Sequence, residues 1–286
     1  MIILLQKYGQ LGNRLSYLRE FFAIALEHDL DVVFFSFDEY AHYFSGTKRG
    51  LVCSFPCGRG LAVDKRVGRR CRQLLLNIII RVLSEFTAFT RGIVPQPEEN
   101  GCHVFNADFV ERIQKKKIVL FLEGWPCVRP EIIEKHAVRI REYFSLVQEH
   151  ALRVDAFLHK AKDHGDFVVG IHMRMGDYRY WNDGKFFFTV DEYIEVMRTI
   201  IEKHKSKSIV FILCTNEDQE WSRFEEFTYL VGPGDTIGDL YVLAGCNEIY
   251  GPQSSYSAWA SFYGKVPFYE MRSDSGSGRG CGKNIS

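Results

Sequence analysis

Hydrophobic and polar positions in the first part of the chain predict a strand, a helix and further strands. An apolar run, Met1–Leu5, is followed by a glycine turn at Gly9–Gly12 and by apolar residues at helical spacing from Asn13 to His28. Two later apolar runs, Asp31–Phe35 and Lys117–Leu122, have the length and composition of buried strands. The order strand, turn, helix, strand is typical of a parallel sheet.

The second half of the chain repeats this alternation. Charged residues spaced among apolar ones predict helices from Pro130 to about Gly165. We expect the connection between two domains in this region. The elements that follow are strand Phe167–His172, helix Val190–His204, strand Ser208–Cys214, helix Ile237–Ala244, strand Glu248–Tyr250, helix Tyr256–Tyr263 and strand Val266–Tyr269. The predicted fold class is α/β, with two Rossmann-like domains facing a cleft. Residues 1–150 and 151–272 would form the two domains, and the Gly/Ser-rich residues 273–286 a flexible tail.

Composition narrows the class of protein. Of 286 residues 46% are hydrophobic, and 36 Lys and Arg balance 36 Asp and Glu. Such a chain is neither intrinsically disordered nor polybasic, so we expect no nucleic-acid partner. The first residues lack the basic region of a signal peptide, and no apolar run reaches the ~18 residues of a membrane span. These features predict a cytoplasmic protein.

The eight cysteines are scattered along the chain, and several lie in apolar runs. None forms a CxxC pair, and Cys53 and Cys57 lack a second pair of ligands at zinc spacing. We therefore expect reduced thiols that act as small hydrophobic side chains in a reducing compartment.

The segment VVGIHMRMGDY, residues 168–178, carries the clearest chemical signal. An apolar strand ends abruptly in His172, Arg174 and Asp177. Ligands of open α/β sheets bind outside the carboxyl ends of the strands, and the planar guanidinium of arginine matches phosphate oxygens. The alternative is an Arg174–Asp177 ion pair that only closes a turn.

Three further segments offer polar groups next to predicted strands. Ser254, Ser255 and Ser257 lie at the start of a small-residue helix, where hydroxyls and free N–H groups favour an anion. Helix capping by one serine would be the simpler role. Thr215 and Asn216 follow a strand and either reach the same cleft or form a plain turn. The sequence GQLGNR, residues 9–14, predicts either close approach to a ligand or a tight turn.

Four motifs in one order resemble the α-1,2-fucosyltransferase family, within the superfamily of GDP-fucose-dependent transferases. They are GQLGNRL, FLEGWP, HMRMGD and SSYSAWASFYG. The family's own motifs are similar to GNQLFQYA, HxRRGD and SSFSWWAAWLG. This chain departs from them at Met175, where a second arginine is expected, and at Ala258, where a tryptophan is expected.

The resemblance implies a glycosyltransferase fold of the B type, with a C-terminal domain for the sugar nucleotide and an N-terminal domain for the acceptor. It implies that Arg174 binds the pyrophosphate and that His172 helps to hold the nucleotide. It also implies that Asp239 recognises the nucleobase and that Ser255 and Ser257 bind the phosphates. Asn13 and Arg14 would lie near the transferred sugar. Our donor-binding set adds Thr215 and Ser254 from their position alone.

The expected mechanism needs no metal and no cofactor. No compact DxD follows a strand, and Arg174 with a helix N-terminus can stabilise the leaving diphosphate. The resemblance implies inversion, which requires a base at the acceptor hydroxyl. Asp177, Glu123 and Asp38 are all candidates. We take Arg174 and Asp177 as the catalytic pair.

A run of basic residues from Arg59 to Arg72 precedes the apolar stretch Leu74–Phe89. Such a segment either lies on an anionic membrane surface, giving peripheral contact through residues 59–89, or packs as an ordinary helix. The leading hypothesis is a fucosyltransferase that uses GDP-fucose and a glycan acceptor. The alternatives are an enzyme with another sugar nucleotide, suggested by Met175, and a non-catalytic nucleotide-sugar or glycan-binding protein.

Overall fold

The computed structural model describes residues 1–4, 6–35, 37, 39–47, 53–56, 74, 78, 81–82, 103–122, 124–272 and 281–282. Two of the candidate bases, Asp38 and Glu123, lie outside these residues, as does nearly all of the basic and apolar segment 59–89. The chain divides into two compact units, Met1–Val147 and Gln148–Ser286. Each unit has a sheet of its own.

The first unit contains a mainly parallel sheet. Its elements are β1 (Ile2–Leu4), α1 (Leu11–Glu27), β2 (Val32–Phe34), β3 (Cys53–Phe55), β4 (His103–Val104), α2 (Ala107–Lys115), β5 (Leu120–Leu122), β6 (Pro126–Cys127) and α3 (Pro130–Tyr143). The main sheet has the order β3-β2-β1-β5, in which β1 runs parallel to β2 and β5, and β3 runs antiparallel to β2. Strands β4 and β6 form a separate parallel pair.

Aromatic packing fixes α1 on this sheet. Phe22 of α1 stacks on Phe55 of β3, with ring centroids 3.9 Å apart, and on Phe144 at 5.5 Å. All three side chains are almost fully buried. Burial of such rings is the main favourable contribution to packing here, because each removes a large apolar area from water.

The second unit is a doubly wound α/β domain. Its elements are α4 (Gln148–Lys162), β7 (Phe167–Met173), α5 (Val190–Lys203), β8 (Ile209–Thr215), β9 (Tyr229–Val231), α6 (Thr236–Ala244), β10 (Glu248–Gly251), α7 (Ser255–Gly264), β11 (Phe268–Met271) and β12 (Cys281–Gly282). The sheet order is β12-β11-β10-β7-β8-β9, and all neighbours are parallel except β11 and β12.

Strand β7 is the centre of this sheet, and all seven of its residues are buried. Helix α5 begins with a complete capping box, in which Thr189 accepts from the Glu192 amide and the Glu192 carboxylate accepts from the Thr189 amide. The alternation predicted for this half is therefore present, and the α/β class is confirmed. The cleft between two facing domains stays a prediction.

The cysteines differ from expectation at one position. Cys53, Cys214 and Cys246 are buried free thiols, as predicted. Cys127 is disulfide-bonded, so the prediction of reduced thiols is wrong for this residue. Strand pairing of β6 with β4 holds the backbone at Cys127 in place. None of the helices within the described ranges is both long and apolar enough to cross a membrane.

Candidate functional site

The carboxyl end of β7 brings His172 and Arg174 to the edge of the second unit's sheet. His172 is buried, and its Nδ1 lies 2.7 Å from Oγ of Ser257 in α7. Burial lowers the pKa of His172 to about 3, and the positive charge of Arg174 acts in the same direction. The imidazole is therefore neutral at neutral pH, and it holds β7 and α7 together through Ser257.

Arg174 makes a two-pronged ion pair with Asp177. Its Nε lies 2.9 Å from Oδ1 and its Nη2 lies 3.0 Å from Oδ2. The guanidinium also lies over the ring of Tyr178, 5.6 Å from the centroid. The ion pair that the sequence offered as an alternative is thus present. It uses two of the five N–H donors of the guanidinium, and the other three find no acceptor among the described residues.

The start of α7 lies beside this pair. Ser254 is the N-cap residue and its hydroxyl accepts from the Tyr256 amide at 3.2 Å. Tyr178 donates its hydroxyl to the Gln253 carbonyl at 3.0 Å, which ties the segment after β7 to α7. Ser254 therefore has the capping role. Ser257 is fully buried against His172, so it positions that ring rather than facing solvent.

A cavity of about 520 Å³ lies at the carboxyl ends of β8 and β9. Its lining includes Thr215, Glu217, Trp221, Gly232, Gly234 and Asp239. Asn216, which also lines it, accepts from the Met175 amide at 2.9 Å and so connects the cavity wall to the end of β7. Thr215 bonds within its own turn, where its hydroxyl donates to the Glu217 carbonyl at 3.1 Å.

Asp239, in the first turn of α6, supplies the buried charge of this cavity. Its Oδ1 accepts from the Gly234 amide at 2.9 Å, and Oδ2 has no partner within residues 148–272. Burial raises the pKa of Asp239 to about 6, although the Gly234 amide opposes the shift. A carboxylate with one free oxygen in a cavity can accept hydrogen bonds from a ligand edge.

Gly232 is required by close approach at the same cavity. A Cβ added there would lie 2.8 Å from Oδ1 of Asp239 and 2.9 Å from Sγ of Cys214. Any side chain at this position would therefore push the buried carboxylate out of place. The sequence analysis did not include Gly232 among the site residues. The glycine-rich segment GPGD before α6 is the sequence signal that could have predicted this close approach.

In the first unit, Asn13 and Arg14 lie in the first turn of α1. Arg14 is buried, its Nε donates to the Gly9 carbonyl at 3.2 Å, and its Nη2 lies 3.0 Å from Oε2 of Glu39. Its guanidinium also lies 5.0 Å from the centroid of the Tyr40 ring. The Gly9–Arg14 segment is thus a well-anchored turn around a buried cation. Glu39 and Tyr40 were missed at the sequence level because they lie far along the chain.

Within the described residues, no three His, Cys, Asp or Glu side chains come together as a metal site requires. The structure brings Arg174, Asp177, His172, Ser254 and Ser257 together at one edge of one sheet. Asp239 and Thr215 lie at the same edge, along β8 and β9. Asn13 and Arg14 belong to the other unit.

No protein-family model and no curated protein matches the chain. Solved structures do match. A mutant of Arabidopsis thaliana FUT1 in complex with GDP is 12% identical with a TM-score of 0.58, covering 96% of this chain and 71% of that one. The α-1,6-fucosyltransferase NodZ, solved from Bradyrhizobium and soaked with GDP-fucose, is 16% identical with a TM-score of 0.56, covering 99% of both chains. POFUT1 in complex with GDP-fucose is 11% identical with a TM-score of 0.51, covering 93% of this chain and 94% of that one. The chain thus has an α/β fold similar to that of these fucosyltransferases.

Proposed function

We propose that this protein is a glycosyltransferase that moves fucose from GDP-fucose to a hydroxyl group of a glycan. The observation that carries the proposal is the juxtaposition of Arg174, the N-terminus of α7 and the Asp239 cavity at the carboxyl edge of one parallel sheet. This edge is where open α/β sheets bind nucleotides. The similarity of fold to three solved fucosyltransferases supports it, since two of them are complexes with GDP or GDP-fucose and the third was soaked with GDP-fucose.

The nucleobase would occupy the cavity next to Asp239. Guanine presents an N1–H and an N2 amino group on one edge, and a carboxylate can accept from both at once. Uracil and cytosine lack this pair of donors, so Asp239 would select GDP over other nucleoside diphosphates. The volume of about 520 Å³ is within the range of small-molecule sites.

The diphosphate would lie between Arg174 and α7. Three N–H donors of Arg174 have no acceptor among the described residues, and together with the N-terminal end of the α7 dipole they favour an anionic leaving group. Negative charge grows on the β-phosphate as the sugar departs, so these fixed donors act most strongly in the transition state. Metal independence is part of this proposal.

Inversion at the sugar carbon requires a base at the acceptor hydroxyl. Asp177 is our candidate, because it is exposed and next to Arg174. Its carboxylate would have to leave the ion pair with Arg174 to reach the acceptor hydroxyl, and it would there accept the proton. Asn13 and Arg14 are assigned to the sugar side of the donor, and only the resemblance of the sequence motifs supports an α-1,2 linkage in this proposal.

A thermal-shift panel of GDP, UDP, CDP and ADP followed by a GDP-release assay with GDP-fucose tests the proposal. We expect stabilisation by GDP alone, and slow release of GDP that persists in excess EDTA. Stabilisation by another nucleotide would favour the alternative donor suggested by Met175. GDP binding without any release would favour a non-catalytic binding protein. Loss of release in EDTA that Mg²⁺ or Mn²⁺ restores would reject the arginine-based mechanism.

A further inference from the structure

The segment between β7 and α5, residues 174–189, exposes large aromatic side chains. Tyr180 is 85% exposed and Trp181 is 52% exposed. Large apolar groups that cluster on a surface are typical of binding sites, because a ligand that covers them removes apolar surface from water, which is favourable. The nucleotide and the sugar that we assign to the donor site do not use them.

The rings of this segment form a continuous series, which we call the aromatic ladder: Tyr178, Trp181 and Phe186. The ring centroids of Tyr178 and Trp181 are 5.2 Å apart, and so are those of Trp181 and Phe186. The planes of these pairs are inclined by only 31° and 29°. At its inner end the ladder meets Arg174, whose guanidinium lies over Tyr178. The ladder thus leads outward from the proposed diphosphate site.

A left-handed turn in the backbone lies between Trp181 and Phe186 of the aromatic ladder. Asn182 and Asp183 both have left-handed conformations, with φ of 50° and 56°, and Gly184 follows with φ of 73°. Among non-glycine residues, Asn and Asp tolerate this left-handed region best. The turn is closed by hydrogen bonds from the Lys185 amide to the Asn182 carbonyl at 3.1 Å and from the Phe187 amide to the Gly184 carbonyl at 2.9 Å.

Polar residues follow Trp181 in the same segment. Asn182 and Asp183 are exposed, and Lys185 places its Nζ 5.4 Å from the centroid of Phe186. A protein partner would favour a patch whose centre is depleted of charge. A pyranose ring instead combines an apolar face of C–H groups with a rim of hydroxyl groups, which suits an aromatic plane bordered by amide, carboxylate and ammonium groups.

We propose that the aromatic ladder is the acceptor subsite, where a pyranose ring of a neutral oligosaccharide stacks on Trp181. This inference rests on the proposed function, since it assigns the acceptor side of the same reaction. The position of the ladder next to Arg174 would place the acceptor hydroxyl near the departing diphosphate.

The test measures oligosaccharide binding by the full chain in the presence of GDP. The probes are an immobilised array of neutral oligosaccharides ending in β-linked glucose, galactose or N-acetylglucosamine, and then the best-bound member in solution. Trp181→Ala should raise its Kd by at least about tenfold, as loss of a central aromatic contact does. Trp181→Phe keeps a ring and should recover most of the affinity. Leu152→Ala removes an equally exposed apolar side chain from α4 and is the matched control.

Three results would overturn the inference. The first is that wild type and Trp181→Ala bind the saccharide equally, and the second is that a wild type that binds GDP binds no saccharide. The third is that Trp181→Ala loses self-association, measured by light scattering, while it still binds the saccharide. Failure of the proposed function has another signature. It would appear as a wild type that neither binds GDP nor releases it from GDP-fucose, whatever its saccharide affinity.

Discussion

At the scale of the single residue, Arg174 combines an ion pair with a proposed diphosphate contact. Arg174→Lys keeps the charge and loses the planar set of donors. Because the contact strengthens as the sugar leaves, turnover should fall by about 30- to 1000-fold while GDP affinity falls much less. Turnover, GDP affinity and melting temperature of the variant are the measurements.

Arg198→Lys is the matched control for that substitution, since Arg198 also makes a two-pronged ion pair, with Glu226, and neither residue lines the Asp239 cavity. Asp177→Asn supplies the second comparison. If Arg174 serves only to close the turn, Arg174→Lys and Asp177→Asn should lower the melting temperature equally and show no selective loss of turnover. Near-full turnover in Arg174→Lys would remove the donor-site assignment.

Asp239 leads to a prediction about pH. Its pKa of about 6 means that the carboxylate gains a proton as pH falls through 6, and a protonated group cannot accept from both donors of guanine. GDP affinity should therefore fall below about pH 6. Asp239→Asn should weaken GDP binding by about 30-fold or more at pH 7.5, because it loses a charge-assisted pair.

Asp239→Asn should not lower the stability of the fold, although it lowers GDP affinity. A folded-state pKa above the unfolded value favours folding at low pH, and this contribution is lost as pH rises through about 6. Removing the buried charge should thus leave the melting temperature at pH 7.5 unchanged or higher, since asparagine still accepts from the Gly234 amide. A variant that loses stability and GDP affinity together would indicate a structural role only.

The sequence predicted where polar residues follow the strands, but not what each of their side chains contacts. The abrupt end of an apolar run predicted that His172 and Arg174 lie at the carboxyl end of a strand, and the structure has them there. It could not show that Ser257 faces His172, because the two residues are 85 positions apart and meet only when α7 packs beside β7. The environment of the Asp239 carboxylate likewise depends on its burial and on the hydrogen bond from the Gly234 amide, and neither can be read from residue spacing.

At the scale of helices and strands, hydrophobic runs located the inner strands well. Strand β7 was expected at Phe167–His172 and occupies Phe167–Met173, because the uninterrupted apolar run before His172 is typical of a strand buried on both faces. Strand β9, Tyr229–Val231, was missed. It has three residues at the edge of the sheet, two half-buried and one exposed, so its pattern carries little signal.

The contact between α1 and α3 predicts an acid-sensitive helix pair. Glu27 of α1 lies 2.8 Å from Nζ of Lys135 and 2.7 Å from Nε2 of His136 in α3. Hydrogen bonds from Lys135 and then His136 lower the pKa of Glu27 to about 2. A depressed carboxyl pKa stabilises the fold above the unfolded pKa, and this contribution disappears as pH falls toward 2.

Glu27→Gln should therefore cost about 1 kcal/mol of unfolding free energy at pH 7, a small value because the pair is partly exposed to solvent. The difference from wild type should shrink below about pH 4 and vanish near pH 2. Glu111→Gln, which removes an exposed pair with Lys115 inside α2, is the control and should show almost no difference at any pH. A difference that persists at pH 2 would point to lost packing instead of lost charge.

At the scale of the whole molecule, composition and cysteine spacing led to the expectation of a reduced, cytoplasmic protein. The disulfide at Cys127 counts against a reducing compartment, because disulfides persist mainly in oxidising ones. Scattered cysteines without a CxxC pair do not reveal a bridge, since bridging depends on which strands become neighbours. Here β6, which carries Cys127, is paired with β4.

The oxidation state of Cys127 can be measured directly. When the unreduced protein is denatured and alkylated, peptide mapping should find Cys127 unlabelled and the buried thiols Cys53, Cys214 and Cys246 labelled. In the folded protein these three should resist alkylation, since burial raises the thiol pKa of Cys214 and Cys246 and little thiolate forms. Cys127→Ser should lower the stability by about 2–4 kcal/mol and match reduced wild type, because both lose the same cross-link of the unfolded chain. Labelling of Cys127 before reduction would contradict the bridge and restore the expectation of a reducing compartment.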